Sequence, residues 1–249
     1  MTTPTGTQSL ERGVRILKEL ATRPRVGWGL TELSLRCELD KATTHRILSA
    51  LVRERLAARH PSAARYLPGP LLFELGISIG SHSKLQAIGR EVVERVARRL
   101  GGISALTLAS GFDAVCSAHA GTVMTKALSF TVGDRRPLVM NSAGVAILIH
   151  LPSQEARAAT DYGLARAHHL GEFRVRMIHA MIEQSSQLGY GLNLNNTVSG
   201  ITGVAVAVLD SNQNPIAALS VSGTSEQFPR HRLEGLVATL KSEAQRLVF

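Results

Sequence analysis

Several sets of residues in this 249-residue chain have types and spacings that could do chemistry. Gly76-Ile77-Ser78-Ile79-Gly80 matches the G-x-S-x-G nucleophile pattern. That pattern works only on a strand–turn–helix elbow beside an oxyanion loop, whereas this stretch continues an apolar helical pattern, so the reading is not catalytic. Cys116-x-x-His119, His168-His169 and His179 offer a thiol and imidazoles. A metal of that kind needs three or four ligands in reach; no paired second cluster is present, and His168 and His169 fall in a polar connection and read as solvated. No Walker A loop, dinucleotide fingerprint or EF-hand occurs, so neither an enzyme nor a cofactor is expected. Two other sets are more informative. Lys41, Ala42, Thr43, His45, Arg46, Ser49 and Arg53 are spaced to make one polar, basic side of a helix. Ser220 and Ser222 are two apart in an apolar run, so in a strand their hydroxyls face one side. Buried hydroxyls need partners; neighbouring backbone or a bound small molecule could supply them, and the pattern leaves both open.

The elements that position the basic face can be read from periodicity. Leu10, Val14, Leu17 and Leu20/Ala21 mark an apolar face over Gln8–Ala21, and Arg23-Pro24 ends that helix. Gly27 and Gly29 flank the lone Trp28 in a loop. A short helix starts near Leu30 with Thr31, Leu33 and Leu35, and Cys37–Asp40 makes the turn. Asp40 caps a third helix from Lys41 to about Arg55, with Ile47, Leu48, Leu51 and Val52 inward and Thr44 one turn earlier. Ala42, Arg46, Ser49 and Arg53 then point outward, with Thr43 and His45 on the flanks. Leu56–Arg59 and Arg65–Leu67 read as short strands around a turn at His60–Ala64, placing Arg59, His60 and Arg65 to meet phosphates. Helix, short helix, polar-faced helix and basic hairpin in that order read as a winged helix-turn-helix, whose third helix enters a major groove.

Charge supports that reading. Residues 1–70 hold 12 Lys and Arg against 6 Asp and Glu, so two thirds of the net +9 sits in little more than a quarter of the chain. A basic small domain is the electrostatic footprint of a polyanion binder. Hydrophobic residues make up 44% and aromatics 4%, enough for a folded core built on Leu, Val, Ile and Ala. Two cysteines, Cys37 and Cys116, argue for a reducing compartment rather than a disulfide scaffold. The longest clear apolar run, Ala143–Leu151, falls short of the roughly 20 residues that span a bilayer. Met1–Ser9 lacks the apolar core of a signal peptide. The expectation is a cytoplasmic protein with no membrane partner.

Beyond the hairpin, Leu71–Ile79 and Lys84–Leu100 are helical in pattern, the latter ending at Gly101-Gly102. Ser104–Ser110, Ala114–Ala120 and Ala127–Val132 read as strands, followed by helices over Ser142–Leu151, Ser153–Tyr162 and Glu172–Leu188. Gly189–Leu194, Val204–Leu209 and Ile216–Val221 are strands, and Pro229–Val248 closes as a helix. Strands interrupted by helices give an α+β second domain. The boundaries expected are 1–70 for the DNA-binding domain, 71–83 for a linker helix and 84–249 for the second domain.

The whole chain resembles the IclR family of bacterial transcription regulators. Gln8-Ser9-Leu10-Glu11-Arg12 and Leu30-Thr31-Glu32-Leu33 are similar to its first two helices. Asp40-Lys41-Ala42-Thr43-Thr44-His45-Arg46-Ile47-Leu48 resembles its recognition helix, Arg65-Tyr66-Leu67-Pro68-Gly69 the end of its wing, and Ala217-Ala218-Leu219-Ser220-Val221-Ser222-Gly223 its A-A-L-S-V-S-G signature. Asp40 stands where proline is usual and Ala42 where serine is usual; Ala42 removes one possible hydrogen bond to DNA.

The resemblance implies a GAF-like or profilin-like second domain that binds a small effector and oligomerises, with the first linking helix helping to pair two DNA-binding domains. A homodimer or tetramer on a pseudo-palindromic double-stranded operator follows, as paired half-sites are the common route to specific affinity. Carried over by position, the effector pocket comprises Leu128, Arg136, Ser142, Ala143, Asn193, Gly203, Ser220 and Ser222. Ser142 and Ala143 open an expected helix, where backbone amides favour a carboxylate. Relatives that sense small oxo-acids carry Asp and Cys at the positions of Asn193 and Gly203, and their P-L-H-A-T motif reads Pro137-Leu138-Val139-Met140-Asn141 here. The expected pocket is roomier and less acidic, suited to an organic acid of more than two carbons, aromatic acids included, with Arg136 as carboxylate partner. The alternative is a DNA-binding oligomer whose second domain holds a vestigial, ligand-free pocket.

Overall fold

The computed structural model describes residues 7–78, 80–122, 131–167 and 171–248. The chain falls into two compact units, Met1–Ser83 and Lys84–Phe249.

In the first unit, α1 (Gln8–Leu20), α2 (Leu30–Arg36) and α3 (Lys41–Arg53) surround a core of Ile16, Leu20, Leu33, Leu48 and Leu51. Asp40 caps α3, its carboxylate accepting the Thr43 N–H at 2.8 Å; this bond holds the carboxyl below its usual range. Strands β2 (Ala57–Arg59) and β3 (Arg65–Pro68) form the expected hairpin. The Trp28 region differs from its reading as a loop: Trp28–Gly29 is a strand, β1, and completes an antiparallel sheet in the order β1-β3-β2. Trp28 opposes Tyr66 and Gly29 opposes Arg65. Gly27 makes that pairing possible. Its φ is +71°, and a Cβ there would lie 2.6 Å from the Tyr66 carbonyl, so any side chain would force the strands apart. The buried face of α1 also differs from expectation. Gly13, Ile16 and Leu20 are buried, while Leu10 and Val14 are 68% and 41% exposed. Two apolar stripes overlap on this helix; the core takes the one with Ile16 and Leu20, while Leu10 and Val14 line an open groove beside α3. A last helix, α4 (Pro70–Ile77), has no buried residue, and its Phe73 and Ile77 are 74% and 62% exposed.

The second unit is built on a six-stranded antiparallel sheet. Helix α5 (Gly80–Leu100) leads into β4 (Ile103–Ser110) and β5 (Asp113–Gly121). The short strand β6 (Arg135–Pro137), α6 (Ser142–Leu148), α7 (Ser153–Ala167) and α8 (Glu172–Leu188) follow. Then come β7 (Gly191–Leu194), β8 (Ile201–Leu209), β9 (Pro215–Thr224) and α9 (Leu233–Ala244), in a sheet ordered β6-β5-β4-β9-β8-β7. The period-two alternation of β9 divides the core. Ala217, Leu219 and Val221 pack with Val92, Val96, Leu236 and Leu240 of α5 and α9 on one face. Ala218 packs with Ala146, Ile147 and Ile178 of α6 and α8 on the other, with Ala159 of α7 in the same cluster. The expected strand Ala127–Val132 lies mostly outside the described residues; its last two, Thr131 and Val132, are not in a strand. Strand β6 has no sequence signature, because a three-residue edge strand is too short for alternation to show. Helix α6 ends at Leu148, three residues before its expected end, and α7 runs five residues past Tyr162.

Candidate nucleic-acid interface and ligand pocket

Helix α3 presents Lys41, Ala42, His45, Arg46 and Arg53 as exposed residues, with Thr43 and Ser49 half-buried on the flanks. Its inward side is fixed by Thr44 and Leu48, both fully buried, and by the Thr44 hydroxyl donating to the Asp40 carbonyl at 2.9 Å. The first turn of α3 carries no acidic side chain, so only Asp40 offsets the positive end of the helix dipole. Arg53 pairs with Glu54 at 3.4 Å, but both are mostly exposed, and such a pair is weak and screened by salt.

On the hairpin the three basic residues are used differently. Arg59 is exposed and lies over the Tyr66 ring, 5.7 Å from its centroid. The His60 ring accepts the Ser62 N–H through Nδ1 at 3.2 Å, bracing the tip of the turn. Arg65 departs from the reading as a phosphate contact: it is half-buried, donates to the Gly27 carbonyl at 2.9 Å and pairs with Glu32 at 3.2 Å. Glu32 escaped notice in the sequence, although a Glu three residues after a helix start is the signal of a capping box. It accepts the Gly29 N–H at 2.8 Å.

In the second unit, strand register brings Asn193, Gly203 and Ser222 into one row: Asn193 opposes Gly203 and Gly203 opposes Ser222. Helix α6 closes over this row. A Cβ on Gly203 would lie 2.9 Å from Ser142 Oγ and 3.0 Å from Ser222 Oγ. Two hydroxyls therefore converge where a side chain at 203 would stand, and the missing side chain does not by itself leave the extra room expected from sequence. Ser142 is 3% exposed. The two β9 serines differ: Ser220 donates to the Ala105 carbonyl at 3.3 Å, so backbone satisfies it, whereas the Ser222 hydroxyl lies beside Gly203.

Asn193 is buried, but its amide is spent locally. Its Oδ1 accepts the N–H groups of Asn196 and Thr197 at 2.9 and 3.2 Å, and its Nδ2 donates to Thr197 Oγ1 at 2.8 Å. It shapes the loop after β7. Ala143, in the first turn of α6, is buried in the core, and Asn141 caps α6 by accepting the Gly144 N–H at 2.8 Å. Arg136 is exposed on the edge strand β6, opposite Ala114, with β5 and β4 between it and β9. Leu128 lies outside the described residues, as do His168 and His169.

The other chemical candidates can be placed. Ser78 follows a helix, not a strand, and its hydroxyl donates to the Leu75 carbonyl at 2.6 Å. Cys116 is buried while His119 is exposed, and the register shift between Leu106 and Thr107 puts both on one face of β5, opposite Thr107 and Ala105. Burial pushes the Cys116 thiol up to about 11, with Asp134 adding to the rise, which leaves it neutral and unreactive. Among the described residues no group of three His, Cys, Asp or Glu could hold a metal ion. No helix among them is long and apolar enough to cross a membrane.

Comparison with known proteins matches both units. Residues 9–61 match the IclR helix-turn-helix domain, and residues 78–248 match the C-terminal domain of bacterial transcriptional regulator IclR. The HTH-type transcriptional repressor AllR of Klebsiella pneumoniae is 24% identical over 228 residues, covering 91% of this chain and 84% of the relative. The acetate operon repressor of Salmonella typhimurium is 24% identical over 245 residues, covering 97% and 89%. Among solved structures, an IclR family regulator from Brucella abortus superposes with a TM-score of 0.74 at 18% identity, covering 98% of this chain and 95% of that one. An IclR homologue from Microbacterium hydrocarbonoxydans, solved in complex with 4-hydroxybenzoate, gives 0.70 at 20% identity, covering 96% and 97%.

Proposed function

Because this chain belongs to the IclR family of bacterial transcription regulators, we propose that α3 reads operator DNA in the major groove while the second unit senses an organic acid. The observation that carries the first half is the exposed polar and basic side of α3 in the more basic part of the chain. Lys41, Thr43, His45, Arg46 and Ser49 face base edges or nearby phosphates, and Ala42 offers only a methyl group, suited to a thymine methyl. Arg53 and Arg59 meet the backbone. Operator affinity then depends on salt through the phosphates neutralised.

The active form is a homodimer or larger oligomer. Exposed Phe73, Leu75 and Ile77 on α4, with an apolar groove of about 350 Å³ between α1 and α3 lined by Leu10, Val14 and Ile47, leave apolar surface for a second copy to cover. The cell interior is the compartment where such a protein meets DNA.

The second half rests on Ser142 and Ser222 converging over Gly203. Neutral hydroxyls on a close-packed glycine suit the hydroxyl or carboxyl oxygens of a small acid with a flat body. The 4-hydroxybenzoate complex of the Microbacterium relative supports an aromatic acid as the first compound to try. The effector can act only through different affinities for the DNA-competent and incompetent arrangements. The rival reading, a vestigial pocket, draws support from Asn193, whose amide is already spent on its own loop.

Footprinting of DNA upstream of the chain's own gene, at physiological salt, tests the DNA reading. A protected pseudo-palindrome that Arg46→Ala abolishes supports it; only salt-sensitive, sequence-independent binding, with and without acids, contradicts it. A thermal-shift and calorimetry panel of acids tests the pocket. No heat and no stabilisation across that panel would leave the vestigial reading standing.

A further inference from the structure

Three separate stretches of the first unit meet on one carboxylate. Glu32, in the first turn of α2, accepts the Gly29 N–H through Oε2 at 2.8 Å, and the same oxygen lies 3.2 Å from Arg65 Nη1 on β3. Its other oxygen accepts from Arg23 Nη1 at 3.3 Å, from the loop after α1. Each arginine is in turn held by a second group. Arg65 Nη1 also donates to the Gly27 carbonyl at 2.9 Å. The Arg23 guanidinium stacks on Trp28 at 3.7 Å from the ring centroid, and Trp28 Nε1 donates to Thr22 Oγ1 at 3.2 Å.

A single half-exposed ion pair contributes little, because water competes and two long side chains must be ordered. Here both arginines are already ordered by backbone or by an aromatic face, so most of that entropy is lost once for several bonds. Strand β3 is also tied to the rest of the unit by two β1 pairings, by buried Tyr66, by packing on α1 and, at its end, by the Gly69 N–H donating to the Leu56 carbonyl. The hairpin tip beyond it, Pro61–Ala64, is exposed. A rigid root is therefore what aims the tip.

We propose that Glu32 is the positioning residue of the wing: with Arg65 and Arg23 it fixes β3 against the start of α2, so that Arg65 is committed to Glu32 and the wing's phosphate contacts fall to Arg59 and His60. This rests on the reading of the unit as DNA-binding.

Glu32→Gln separates the roles, because the amide oxygen still accepts the Gly29 N–H and keeps α2 capped while both ion pairs lose their charge. The readouts are operator affinity and its salt dependence, with the fragment that the wild-type protein protects. Glu32→Gln and Arg65→Ala each weaken binding about threefold to tenfold, and the double variant is no weaker than the worse single one. The slope of log K against log salt stays unchanged in Arg65→Ala and falls by about 0.9 in Arg59→Ala, the value for one lost phosphate contact. Wild-type or tighter binding by Glu32→Gln overturns the proposal, since Arg65 freed from Glu32 would then be serving DNA. So does a slope lowered by one contact in Arg65→Ala. Hydrogen exchange needs no DNA: Glu32→Gln should speed exchange of the β2 and β3 amides and leave α3 protected. Unchanged exchange there overturns the proposal. A wild-type protein that protects no DNA overturns the DNA reading instead, and the exchange measurement still decides on the clamp.

Discussion

The two units use polar residues in opposite senses. In the first, the groups we propose to read DNA point outward from α3, and the polar groups inside, such as Thr44, are satisfied locally. In the second, the chemically interesting hydroxyls point inward, onto the sheet face under α6, and their neighbours come from four distant stretches of sequence. Outward function depends on one helix and its cap; inward function depends on strand register, so a single misplaced atom is felt at once. The difference predicts where each unit is fragile.

The largest effect should come from filling the row over the sheet. Gly203→Ala places a methyl 2.9 and 3.0 Å from two hydroxyls on short side chains, one on buried Ser142 and one on half-buried Ser222. It should abolish effector-induced stabilisation, about 1–3 kcal/mol in a saturating thermal-shift assay, while α3 still binds operator. Retained stabilisation would show that the ligand sits elsewhere. Next is the backbone device of the first unit. Gly27→Ala forces a side chain into φ +71° and against the Tyr66 carbonyl, which should cost about 1–3 kcal/mol by chemical denaturation. An unaffected midpoint would mean that β1 pairing matters little.

A smaller effect, of opposite sign, is expected at Ser104. It is fully buried on the α5/α9 face, and its hydroxyl is the only buried side-chain oxygen or nitrogen without a partner among the described residues. Ser104→Ala removes an unpaired polar group, so stability should hold or rise by up to about 1 kcal/mol. A loss of that size would reveal a hidden partner. The smallest effect concerns acid. The Thr43 N–H bond depresses the Asp40 carboxyl, so its stabilisation is present above the unfolded value of about 3.9 and is lost as pH falls through the lowered folded value. Amide exchange at the first turn of α3 should quicken below that range and not between neutral pH and 5; Asp40→Asn should flatten the dependence.

How legible each part was follows the same contrast. Helix α3 and its cap were readable because everything needed lies within fourteen residues: Asp40, a 3.6-residue apolar stripe and a basic reverse side. The face of α1 was misread in part because two stripes overlap: the core takes Gly13 and Ile16 with the expected Leu20, and leaves Leu10 and Val14 exposed. Arg65 looked like any wing arginine, because its partner Glu32 lies 33 residues away. In the second unit the alternation of β9 put Ser220 and Ser222 on one face, but nothing local says that the Ala105 carbonyl takes one hydroxyl while the other lies beside Gly203. Nor does anything local show that Asn193 bonds to its own loop, through the Asn196 and Thr197 N–H groups and the Thr197 hydroxyl.

The measurement that tests the account most directly is operator binding by the wild-type protein and by Ser142→Ala/Ser222→Ala, with and without an aromatic acid, at fixed salt. The account predicts that the acid changes wild-type affinity at least about fivefold, the lower range of allosteric coupling, while the double variant keeps its unliganded affinity and does not respond. An equal response in the double variant, or none in the wild type across the acid panel, would contradict it.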